Sequence, residues 1–87
     1  MNHFTHPKFW QSYEQLPEHI KLIADKQYAL LRVNPRHPSL HLKPIRELWS
    51  VRVNDDYRAL GLDDTLGIVW FWIGKHSEYE ALLKRYS

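Results

Sequence analysis

The sequence predicts an α+β fold in which a helical hairpin lies on a small sheet and a short helix closes the chain. Three observations carry this. Apolar residues recur at helical spacing on both sides of Leu16-Pro17. Residues 48–58, Leu-Trp-Ser-Val-Arg-Val-Asn-Asp-Asp-Tyr-Arg, alternate and then turn, which is the pattern of two paired strands. Gly67 to Gly74 is an almost unbroken β-branched and aromatic run, the composition of a central strand buried on both faces.

Residues 1–6 read as irregular, with Thr5 placed to cap a first helix and Pro7 in its first turn, where a missing N–H costs little. Phe9, Trp10, Tyr13 and Leu16 define that helix, expected over 6–15. Proline disfavours the α region in the residue before it, so the helix stops at Leu16-Pro17. A second helix runs to Val33, with Ile20, Ile23, Ala24, Leu30 and Leu31 on one stripe. Glu18 near its start and Arg32 near its end suit the helix dipole, and Asn34-Pro35 ends it. Leu40 to Lys43 alternates as a short edge strand, interrupted by Pro44. Asn54-Asp55-Asp56 supplies turn chemistry, and Asp63-Asp64 a second turn. After Gly74-Lys75 a last helix is expected, with Tyr79, Leu82, Leu83 and Tyr86 on one face; it is too short to hold without tertiary contacts. Trp10, Trp70 and Trp72 have apolar neighbours and read as core.

Length allows a single domain, 1–87, with a thin core. The formal net charge of +2 and a pI near 9.0 permit nucleic-acid contact without arguing for it. Cysteine is absent, which rules out a disulfide framework and thiolate zinc sites and fits a reducing cytoplasm. The N-terminus lacks the apolar stretch of a signal peptide, and no run is long enough to span a bilayer.

The functional reading begins with register. A three-residue loop over 54–56 sets Val53 opposite Tyr57 and Arg52 opposite Arg58, on the face away from Trp49, Val51 and Val53. Like charges directly opposed destabilise a sheet. Two readings stand: the arginines hold an anion, or they keep the outer face soluble. Arg36, His37, His41, Lys43 and Arg46 form a basic rim leading into that strand. His76 lies where the apolar strand ends, with Tyr79 three residues on. A site of His, Tyr and Arg without carboxylates or thiols suits metal-independent cleavage of RNA, in which the 2′-hydroxyl is the nucleophile. Taken singly, His76 also reads as a loop histidine and Tyr79 as packing. The spacings of His37 with His41 and of His3 with His6 give no metal site, and no cofactor is expected.

The order Leu16-Pro17, Asn34-Pro35-Arg36-His37-Pro38-Ser39-Leu40, Trp49-Ser50-Val51-Arg52-Val53, Tyr57-Arg58-Ala59-Leu60 and then Gly-x-His resembles the RelE/ParE superfamily of bacterial type II toxins. The resemblance covers about Phe9 to Leu83. It implies a helical hairpin packed on a small, strongly twisted antiparallel sheet of three to four strands, with a short C-terminal helix. It further implies a metal-independent mRNA endonuclease acting in the ribosomal 30S A site, inhibiting translation in the cytoplasm, and held by a cognate antitoxin. By position, Arg58 matches the arginine at the scissile phosphate, and Arg52 a basic residue on the preceding strand. His76 matches the acid–base position, and Tyr79 a C-terminal aromatic. Lys43 and His41 match the basic loop that lines the family's cleft, and Arg36, Arg46 and Lys75 stand beside them as RNA-binding candidates. The sequence departs from the family in lacking a clear first strand and in placing Ser50 where a lysine is common. The alternatives are a non-catalytic gyrase poison of ParE type and a degenerate toxin that only binds an antitoxin.

Overall fold

The computed structural model describes residues 2–85. Its elements in chain order are β1 (Asn2–Thr5), α1 (Pro7–Glu14), α2 (Glu18–Val33), a 3₁₀ turn (Pro38–Leu40), β2 (Lys43–Ile45), β3 (Leu48–Arg52), β4 (Tyr57–Asp64), β5 (Gly67–Lys75) and α3 (His76–Arg85). Tyr86, the last residue of the expected C-terminal stripe, lies outside the described residues. No helix among the described residues is long and apolar enough to cross a membrane.

The five strands form one sheet in the order β1-β5-β4-β3-β2. It is larger than expected, and mixed rather than antiparallel, because the N-terminal residues are not irregular. Asn2 to Thr5 pair parallel with Gly67 to Trp70 along the free edge of β5. Gly67, at φ 150°, makes this possible, since a Cβ there would collide with the Asn2 carbonyl. Burial adds support: Trp70 donates from Nε1 to His3 Nδ1 at 3.1 Å.

Four further expectations are corrected. His6, not Thr5, caps α1, its Nδ1 accepting from the Lys8 N–H at 3.1 Å; Thr5 Oγ1 instead accepts from Trp10 Nε1. Leu40 closes a 3₁₀ turn, and the edge strand β2 contains Pro44, tolerated because an edge strand leaves one side of its backbone unpaired. Asp63 and Asp64 end β4, so the turn falls on Thr65-Leu66. Trp10 is 48 % exposed, packed edge-on against Phe9 and Tyr13, whereas Trp70 is buried and Trp72 half-buried.

Two cores result, one on each face of the sheet. Against the helical hairpin, Leu16, Ile20, Ala24, Leu31 and Leu40 meet Val51, Val53, Ala59, Ile68, Trp70 and Ile73. Against α3, Leu48 and Leu60 meet Tyr79 and Leu83. β3 is therefore covered on both sides, and its outward-facing Ser50 is only 2 % exposed.

Candidate functional site

The β3–β4 hairpin sets the site. Arg52 pairs with Arg58 in the ladder, as the turn chemistry predicts. The Asn54 side-chain oxygen accepts from the N–H groups of Asp56 (2.9 Å) and Tyr57 (3.0 Å), an Asx turn that fixes the loop. The opposed guanidiniums have local partners. Arg52 ion-pairs with the Asp55 carboxylate, and Arg58 Nη1 donates to the carbonyls of Asn54 and Tyr57. These contacts relieve the like-charge repulsion and hold both heads at one end of the sheet.

α3 is anchored to the same turn, since the His76 N–H donates to the Asp56 carbonyl at 2.8 Å. One helical turn on, Tyr79 packs with Leu48, Leu60 and Leu83, and its hydroxyl lies 3.0 Å from Ser50 Oγ in a buried hydrogen bond. A buried hydroxyl needs such a partner. The His76 and Tyr79 rings lie 5.4 Å apart between centroids. His76 Nε2 is 3.5 Å from Glu80 Oε1.

Between these elements lies a cleft of about 360 Å³. His41, Lys43, Ile45 and Arg46 form one wall. Ser50, Arg52 and Arg58 form the floor, and His76, Tyr79, Glu80, Leu83 and Lys84 the other wall. Five lysines and arginines thus face one carboxylate among the lining residues. His41 (φ 44°) and Arg46 (φ 55°) hold left-handed backbone on either side of β2, a conformation that costs a non-glycine residue about 1–2 kcal/mol. Both turn a basic side chain into the cleft.

Of the sequence candidates, the fold gathers Arg52, Arg58, His76, Tyr79, His41, Lys43 and Arg46 into this cleft. Arg36 and Lys75 are not among its lining residues. Arg36 is exposed in the loop after α2. Lys75 pairs with Tyr57, while Arg58 pairs with Gly74, so strand alternation directs Lys75 to the hairpin face. His37 does structural work instead, its Nδ1 capping the 3₁₀ turn through the Ser39 N–H at 3.2 Å. Sequence reasoning missed Glu80, Lys84 and the burial of Ser50. The site is therefore not free of carboxylates: Glu80 lies four residues beyond His76, a spacing that shares a face once both are in one helix.

A second cavity, of about 140 Å³, lies on the opposite face between the hairpin and the sheet. Phe9, Trp10, Tyr28, Val51, Val53 and Trp70 make its walls mostly apolar, and Thr5, Asp25, Gln27 and Arg52 also line it. At its rim the Tyr13 hydroxyl donates to Asp25 at 2.7 Å; burial and that carboxylate push the phenol up to about 12.

No family model matches the chain, and no curated protein does. Solved structures do. A chain of the RelB-RelE antitoxin-toxin complex from Methanococcus jannaschii superposes with a TM-score of 0.66 at 16 % identity, over 91 % of this chain and 96 % of that one. The isolated E. coli RelE toxin gives 0.59 at 13 % identity, over 95 % of each chain. A double mutant of E. coli RelE in the free state gives 0.62 at 13 % identity, over 98 % of this chain and 96 % of that one. The chain has the fold of the RelE toxins.

Proposed function

We propose that this protein is the toxin of a bacterial type II toxin–antitoxin pair and cleaves mRNA on the ribosome without a metal ion. The observation that carries this reading is the cleft: arginines from paired strands beside a histidine and a tyrosine, on a fold shared with RelE toxins. In RNA cleavage the 2′-hydroxyl attacks the adjacent phosphorus and the 5′-oxygen leaves. The protein need only bind the phosphate, move protons and offset developing charge. Arg58 and Arg52 sit where they can do the first and last of these, with Lys43 and Arg46 binding the flanking backbone. His76 moves the proton, and Tyr79 borders the reacting group with its hydroxyl held by Ser50.

An acidic, partly disordered antitoxin is the expected partner, covering the basic cleft in the resting cell. That one structural neighbour is an antitoxin–toxin complex supports this. The site of action is then the cytoplasm, where ribosomes work.

Purified protein should cut mRNA on programmed bacterial ribosomes in the presence of EDTA, leaving 5′-hydroxyl ends. His76→Ala should slow cutting by about 10²–10⁴-fold. Intact mRNA with the wild type would reject the nuclease reading.

A further inference from the structure

Glu80 is the one carboxylate among the lining residues of a cleft that carries five lysines and arginines. An acid in that place opposes phosphate binding, so it needs a reason. Its Oε1 lies 3.5 Å from His76 Nε2, on the same face of α3. The other charged residues lining the cleft around His76 are cations, and the nearby acids Glu78, Asp55 and Asp56 are not among its lining residues. Arg52 and Arg58 come from the strands, Lys43 and Arg46 from the opposite wall, and Lys84 lies further along α3. Asp55 of the β3–β4 turn pairs with Arg52, and Asp56 meets α3 through its backbone carbonyl.

Displacement at phosphorus places the attacking and leaving oxygens in line, so proton acceptor and proton donor stand on opposite sides of the phosphate. A carboxylate 3.5 Å from the imidazole cannot take the far side. It works on the same side, through the ring. We propose that Glu80 is a positioning residue for His76: it receives the Nε2–H, fixes that tautomer, and leaves the Nδ1 lone pair to accept the 2′-hydroxyl proton. This rests on the nuclease reading given above.

The step balances within RNA and water. The O2′–H bond breaks and its proton goes to Nδ1 while O2′ bonds to phosphorus. The P–O5′ bond breaks, its electron pair leaves on O5′, and O5′ takes a proton from water. The imidazolium, held by the Glu80 carboxylate, then returns its proton to solvent. The products are a 2′,3′-cyclic phosphate and a 5′-hydroxyl end. A contact of 3.5 Å is long for a hydrogen bond; such contacts tighten when substrate is bound.

The test is single-turnover cleavage on programmed ribosomes, separating the maximal rate from the half-saturating concentration, for wild type, Glu80→Gln, His76→Ala and the double variant. Deleting a negative charge from a cationic cleft strengthens or preserves RNA binding. Glu80→Gln should therefore half-saturate at an equal or lower concentration, yet its maximal rate should fall about 10- to 100-fold, the loss typical of removing a group that orients another. In the His76→Ala background the same substitution should cost nothing further. A Glu80→Gln variant that cuts as fast as wild type, or faster, would overturn the proposal and leave Glu80 a charge on the cleft wall. So would a further loss in the His76→Ala background, since Glu80 would then act without the ring. Failure of the wild type to cut at all would reject the nuclease reading and this inference with it.

Discussion

The two faces of the sheet use similar scaffolding for different ends. On the hairpin face, Val51, Val53, Ala59, Ile68, Trp70 and Ile73 are all buried under α1 and α2, and the cavity left there is mostly apolar. On the α3 face, burial stops partway. Leu48, Ser50 and Leu60 are covered by Tyr79 and Leu83, and the positions that follow on this face of β3 and β4 are Arg52 and Arg58 in an open basic cleft. One helix thus closes a small core with its Tyr79–Leu83 side and presents His76 and Glu80 at its start. Hydrophobic burial supplies most of a small domain's stability, at roughly 1.5–3 kcal/mol per fully buried large side chain. The hairpin face should therefore carry stability, and the α3 face function together with the small core that aims it.

The largest expected effect breaks the first half of that contrast. Trp70→Ala removes a side chain only 2 % exposed from the hairpin core and should cost about 3–5 kcal/mol in urea unfolding. A loss below about 1 kcal/mol would mean that this face is not where stability lies. Ser50→Ala probes the join between the two roles of the α3 face. It leaves the Tyr79 hydroxyl without its 3.0 Å partner and should cost about 1–3 kcal/mol, with cleavage slowed as Tyr79 loses its fixed position.

A smaller effect is set by pH on the hairpin side. Burial, assisted by the Arg32 guanidinium, holds His3 below its usual value of 6.5. Its Nδ1 accepts from Trp70, and its Nε2 is buried without a partner among the described residues. The unfolded chain therefore binds more protons between the lowered value and 6.5. This contribution is whole above pH 6.5 and is lost as pH falls through the lowered value. Urea midpoints at pH 7.5 and 5.5 should differ more for the wild type than for His3→Gln, and equal differences would remove His3 from the account. Smallest is Arg46→Gly, which relieves the left-handed backbone at φ 55°. It should stabilise the fold by up to about 1 kcal/mol while lowering RNA affinity and the salt dependence of binding by about one phosphate contact.

What the sequence revealed follows the same division. The Arg52–Arg58 register was legible because alternation and the Asn54-Asp55-Asp56 turn are local, and both helices were legible from their period and from Pro17 and Asn34-Pro35. The misses are long-range. Asn2 to Thr5 has too few residues for a pattern and becomes a strand only on the edge of β5, more than sixty residues away. Ser50 reads as an outward polar residue until Tyr79, 29 positions later, is seen to cover it. Arg36 and Lys75 entered the candidate site through nearness in sequence. Strand alternation already places Lys75 on the other face once its pairing with Tyr57 is known. Glu80 was visible at four residues from His76, but the sequence leaves either His76 or Ser77 as the start of the last helix, and the spacing gains meaning only with His76 inside α3.

The most direct test of the central claim is induced expression of the wild type beside His76→Ala in a bacterial host, with 5′-end mapping of total mRNA. A toxin that cuts mRNA through His76 arrests growth with cuts phased to codons, both lost in the variant while its folded yield is unchanged. Arrest without new mRNA ends, or equal cutting by the variant, would contradict that claim.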